Sequence, residues 1–138
     1  MRKTSLPVIL IGLLMLLAPL IGCAGGTLKA SLGKPVIVLV GQTVDIEGEQ
    51  LAIRFNGVTG DSRCPNGVTC VWAGEVSCDV TVTYQGSSSD ITLTQPGGVA
   101  PAKTIFKDYR LTFSVDPYPQ AGRKIYPSGY ILNLTVEK

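Results

Sequence analysis

The chain carries 138 residues, with 12 Lys and Arg, 10 Asp and Glu, four Cys and no His. One domain fits that length. The lack of histidine excludes Ser-His-Asp and Cys-His hydrolysis, histidine-ligated zinc and a histidine general base, and the near-balance of charge offers no basic stripe for a nucleic acid.

The first element is Arg2-Lys3 followed by an apolar run from Leu6 to Leu20, which closes on Leu20-Ile21-Gly22-Cys23. A cationic start, a short apolar stretch and small residues at its end make a secretory signal peptide. The run falls short of the about 20 apolar residues that span a bilayer, and Pro7, Gly12 and Pro19 weaken it as a helix. Its last four residues resemble the lipobox of bacterial lipoproteins. The resemblance implies cleavage before Cys23, a diacylglycerol thioether on Cys23 bearing fatty acids such as palmitate, and residence on the cell membrane or outer membrane. Ala24 after the cysteine, in place of Asp, points to the outer membrane where a cell has one. Two acyl chains suffice for stable anchoring, which a single chain does not give. The expected organisation is a signal peptide over 1–22, the lipidated Cys23 with a flexible tether over 23–34, and one domain over 35–138. Without Arg2 and Lys3 the count is 10 basic against 10 acidic side chains, so the membrane is reached through the lipid and not through a polybasic face.

Period-two alternation then dominates. Val36 to Val40 is a continuous apolar run, short enough for a buried strand. After the Gly41-Gln42 turn, Val44 and Ile46 alternate with Asp45 and Glu47, and Leu51, Ile53 and Phe55 alternate with Ala52, Arg54 and Asn56. Asp45, Glu47 and Glu49 are spaced as on a solvated strand edge, without the glycine and bidentate glutamate of a calcium loop.

The densest stretch runs from Asp61-Ser62-Arg63-Cys64-Pro65-Asn66-Gly67 to Cys70-Val71-Trp72-Ala73-Gly74-Glu75. With Cys23 assigned to the lipid, Cys64, Cys70 and Cys78 remain, and three pairings are open. Disulfides persist outside the cytosol, and Cys64-Pro65-Asn66-Gly67 reads as a tight turn that returns the chain towards Cys70. Cys64–Cys70 is therefore the favoured bridge, contributing roughly 2–2.5 kcal/mol by loop-closure entropy. A redox pair takes Cys-x-x-Cys spacing, and this spacing is wider. The stretch resembles a motif of small, uncharacterised bacterial secreted proteins, Arg-Cys-Pro followed by Cys-x-Trp-Ala-Gly-Glu, and that resemblance implies no activity. Two readings are open for it. In one, Asp61 forms an Asx turn and pairs with Arg63, while Trp72 covers the disulfide and plugs one end of the core. In the other, a rigid loop offers Arg63, Trp72 and Glu75 to a ligand.

Val76, Cys78, Val80, Val82 and Tyr84 share the next apolar face, so Cys78 is expected as a buried thiol packing like a small hydrophobe. A polar turn from Gln85 to Ser89 leads to Ile91 and Leu93. Tyr109, Leu111, Phe113 and Val115 alternate with Arg110, Thr112, Ser114 and Asp116. The connection from Asp116 to Gly129 is long for a compact β domain. Its Tyr118, Arg123, Lys124 and Tyr126 form either a ligand surface or part of a proline-stiffened crossover. Tyr130, Leu132, Leu134 and Val136 make the last strand.

About seven strands, broken by Gly, Pro or Ser, predict an all-β fold. The architecture expected is an antiparallel β-sandwich, with a small β-barrel as the alternative. Strand count and size resemble immunoglobulin-like modules, but Cys64, Trp72 and Cys78 lie too close together for their inter-sheet bridge and core Trp. No motif names a cofactor, a metal site or a catalytic group. The expected function is that of a lipid-anchored, non-catalytic module of the cell envelope, which binds an envelope protein or small ligand or serves a structural or accessory role. One alternative is an envelope protease inhibitor presenting the Cys64–Cys70 loop as a preorganised segment. The other, the only enzymatic version these residues allow, is a thiol-disulfide redox protein.

Overall fold

In the computed structural model, residues 26–138 are described; the expected signal peptide and acylated Cys23 lie outside them. Among the described residues nine strands form: β1 (Thr27–Ala30), β2 (Val36–Leu39), β3 (Thr43–Ile46), β4 (Leu51–Asp61), β5 (Glu75–Tyr84), β6 (Ser87–Pro96), β7 (Ala102–Phe106), β8 (Tyr109–Asp116) and β9 (Ile131–Glu137). They build a sheet ordered β1-β3-β4-β5-β6 and a second ordered β2-β9-β8-β7. Every pairing is antiparallel except that of β1 with β3. The fold is therefore an all-β sandwich.

Alternation sets the core between the sheets. Along β5, Val76, Cys78, Val80 and Val82 are fully buried while Ser77, Asp79 and Thr81 keep contact with solvent. From the facing sheet, Leu111, Phe113 and Val115 of β8 and Leu132, Leu134 and Val136 of β9 close on them. Each strand buries one face because successive side chains point to opposite sides of the sheet.

The structure departs from the sequence reading at several places. Residues 27–30, expected within the flexible tether, are instead β1: they pair with β3 and bury Ala30. β7 adds a further strand. The hairpin between β5 and β6 closes on Gln85 and Gly86 alone, both at positive φ (49° and 80°), as a two-residue type I′ loop requires. Ser87 to Ser89 therefore belong to β6. β2 buries only Val38, leaving Ile37 and Leu39 exposed on an edge strand. β4 runs on to Asp61 through register shifts at Phe55/Gly57 and Val58/Gly60.

The strands deliver their connections to two ends. At one end Tyr109 donates to Glu49 (2.5 Å), Lys138 bonds the same carboxylate (3.1 Å), and Tyr84 packs edge-on to Tyr109 and Phe106. The other end carries the disulfide stretch 62–74, the link 97–101 and the long connection 117–130. These three loops are tied to one another.

Candidate binding site

The knot of the loop end is Arg63. Its side chain leaves the end of β4 and turns inward, reaching 3% exposure. The guanidinium donates to both Asp61 oxygens (2.8 and 2.6 Å), to the Val115 carbonyl (2.7 Å) and to the Pro117 carbonyl (3.0 Å). Its carbon lies 4.9 Å from the centre of the Tyr118 ring, a cation–π contact. Asp61 also accepts from the Arg63 backbone N–H (3.2 Å) and the Tyr130 hydroxyl (3.1 Å). Burial pushes the Asp61 carboxyl up, but hydrogen bonds and charge from Arg63, with the bond from Tyr130, outweigh it and hold the carboxyl below its ordinary value.

The Asx turn and the Asp61–Arg63 pair match the sequence reading. Two other parts of it are corrected. Arg63 is not offered to a ligand, because it is buried and each of its three side-chain nitrogens donates inward, to Asp61, Val115 or Pro117. Trp72 does not cover the core: it is 78% exposed, beside Val71 at 93%. Arg63 fills the place expected for Trp72 because a guanidinium can satisfy the strand-end carbonyls buried there, whereas an indole carries a single donor. Glu75 is exposed and lies with Ser62 and Ser77 at a shallow cleft of about 170 Å³, away from the main pocket.

Cys64 and Cys70 are bridged, with Cα atoms 5.9 Å apart, and Cys78 is a buried free thiol. Burial first, and the neighbouring Asp79 second, push that thiol up to about 12. The bridged loop is stitched to the long connection by Asn66, whose N–H donates to Pro119 (2.9 Å) and whose carbonyl accepts from Ala121 (3.0 Å). On its other flank the Cys64 N–H donates to Ala73 (2.9 Å) and the Gly97 N–H to Gly74 (2.8 Å). Backbone approaches there are so close that glycine is required. A Cβ on Gly74, which has φ +70°, would sit 1.8 Å from the Ser62 carbonyl oxygen.

Held this way, the long connection folds back on itself and walls a pocket of about 470 Å³. Tyr118, Ile125 and Tyr126 supply apolar wall, and Arg123 and Lys124 supply positive charge. Lys124 Nζ lies 5.7 Å from the centre of the Tyr126 ring. A 3-10 turn, Pro127–Gly129, completes the rim before β9. Tyr118, Arg123 and Tyr126, singled out in the sequence, thus come together in one pocket, with Lys124 beside them. Trp72 and Glu75 are not among its lining residues. Ile125 and Gln120 also line it; nothing in their sequence context marked them, because the loop has no periodicity to read.

The volume falls within the range of about 300–1,000 Å³ usual for small-molecule sites. No carboxylate among the described residues lines the pocket. Among the described residues no group of three or more His, Cys, Asp and Glu is placed to hold a metal. What the lining can do is bind: aromatic faces take an apolar or ring-bearing body, and two cations take a carboxylate, sulfonate or phosphate.

Fold and site together define a β-sandwich with a ligand-sized cationic pocket set in braced loops at one end. No family model, curated protein or solved structure matches this chain.

Proposed function

We propose that the chain is a lipid-anchored lipoprotein of a bacterial cell envelope, acylated on Cys23, and that its β domain is a non-catalytic binding module. Its ligand is a small anionic molecule with an apolar or aromatic body, held by Tyr118, Arg123, Lys124 and Tyr126. The observation that carries this reading is the pocket walled by tyrosines beside two cations, fixed in place by the Arg63 knot and the Asn66 stitch. Such bracing lowers the ordering cost of binding, since the loops are largely shaped before a ligand arrives. The lipobox supports the anchor, and β1 supports a short link from Cys23 to the domain.

Anilinonaphthalene sulfonate, an anionic aromatic dye, tests the pocket. The protein should enhance and saturate the dye's emission, and Arg123→Ala with Lys124→Ala should weaken that binding about tenfold, or about 1.4 kcal/mol. Unchanged dye affinity in this double variant, or equal loss in Val71→Ser, would place the binding elsewhere and end the pocket assignment.

A further inference from the structure

We infer that Val71 and Trp72, which follow the bridged Cys70 at the tip of the stretch 62–74, seat in the headgroup–acyl boundary of the bilayer, so that the loop end of the sandwich faces the membrane. The inference rests on the proposed acylation of Cys23 and adds an orientation to it.

Isolated exposed apolar side chains are ordinary on protein surfaces, so exposure alone selects nothing. Here the two most exposed large apolar side chains among the described residues are neighbours in the chain. Val71 is 93% and Trp72 78% exposed, Val68 on the same loop is 50% exposed, and Val99 on the adjoining link is 49% exposed. The tip cannot readily fold away, because the Cys64–Cys70 bridge, the Cys64-to-Ala73 bond and the Gly97-to-Gly74 bond fix both its arms. A Trp whose ring meets apolar surface while its N–H stays wet is the residue favoured at membrane interfaces.

The direction of the chain supplies the second observation. β1 runs parallel to β3, with Thr27 opposite Thr43, and Thr43 lies opposite Arg54 of the antiparallel β4. Upstream along β1 is therefore downstream along β4, towards Asp61 and the disulfide loop. Cys23 stands four residues before Thr27, a reach of at most about 14 Å. From Arg54 to Asp61 along β4 is seven residues, about 20 Å once the two bulges are allowed for. An acylated Cys23 thus cannot clear the loop end when the strands stand on the membrane, and the loop tips meet the surface at least as deeply as the lipidated residue does. The opposite end points away.

Charge agrees. Arg123 and Lys124 are exposed on the neighbouring connection, and no ion pair among the described residues neutralises them. They suit anionic headgroups. With this orientation the pocket they line opens near the headgroups, where an anionic amphiphile would be encountered.

Trp72 is the single Trp of the chain, so its emission reports this tip alone. The test uses the full chain purified from bacterial membranes, checked by intact mass, and placed in phosphatidylcholine–phosphatidylglycerol vesicles with or without brominated acyl chains. The expected result is emission shifted to the blue and quenched at least about twofold by bromine, as for a ring at the acyl boundary. Val71→Ser, which keeps the fluorophore at an exposed position, should lower the quenching. Fatty acids present on Cys23 with Trp72 emission equal in both vesicles would overturn the docking and leave the anchor. Fatty acids absent with quenching retained would overturn the anchor and leave the docking. Trp72 shielded only when envelope proteins are added, and not by lipid, would assign the tip to a protein partner and overturn the inference.

Discussion

Arg63→Ala removes a guanidinium that donates to four oxygens on three residues at the loop end. What remains is worse than an ordinary truncation. The Asp61 side chain is 8% exposed and keeps its charge, while the Val115 and Pro117 carbonyls lose that donor. Removing one partner of a buried ion pair costs about 3–5 kcal/mol, and the low end applies because Asp61 retains the residue 63 backbone N–H and the Tyr130 hydroxyl. About 3 kcal/mol is a large share of the 5–15 kcal/mol typical of a domain. Urea unfolding at neutral pH measures it. The pH dependence adds a second handle. Asp61 is held below its ordinary value in the parent, so it contributes stability that is present above the unfolded value of about 3.9 and lost as pH falls through the folded value. In the variant, burial acts without Arg63, and protonating Asp61 relieves it. The stability gap between parent and Arg63→Ala should therefore narrow below about pH 4. A variant within about 1 kcal/mol of the parent, the worth of an exposed pair, and with no change of gap in acid, would refute the knot.

The legible part of the fold was the part with two distinct faces. β3, β5, β8 and β9 alternate cleanly because one side of each is core and the other is wet. β1 and β7 sit on sheet edges and bury only Ala30 and Ala102, so their sequences carry almost no alternation. The end of β4 was hidden because its bulges change the phase after Phe55. At the site, the Asp61–Arg63 pair could be read because its members are two residues apart. The depth of Arg63 could not, since its other acceptors lie 52 and 54 residues away. Trp72 misled because a lone Trp is usually worth burying. Only the three-dimensional position of the Arg63 knot shows that its place at the core end was already filled.

Further outcomes follow from the same geometry. Cys64→Ser with Cys70→Ser should lower unfolding free energy by about 2–2.5 kcal/mol through loop closure, and Cys70→Ser alone, which leaves the Cys64 thiol free, should trap no mixed disulfide with an envelope protein; a trapped adduct would revive the redox alternative. Gly74→Ala should lose at least about 3 kcal/mol by chemical denaturation, since overpacking and positive φ add; a near-neutral variant would contradict the close approach to Ser62. Cys78, its thiol pushed up to about 12 by burial and by Asp79, should resist an aromatic disulfide reagent in the folded protein at mildly alkaline pH. In unfolded chain with the bridge intact, that reagent should count one thiol when Cys23 is a thioether and two when it is free.

The most direct measurement is the intact mass of the protein extracted from its own membranes. The account predicts a chain beginning at Cys23 and heavier than its peptide by a diacylglycerol, or by three acyl groups where the new amine is also modified. A chain still beginning at Met1, or starting elsewhere and free of fatty acids, would contradict it and remove the tether on which the membrane orientation depends.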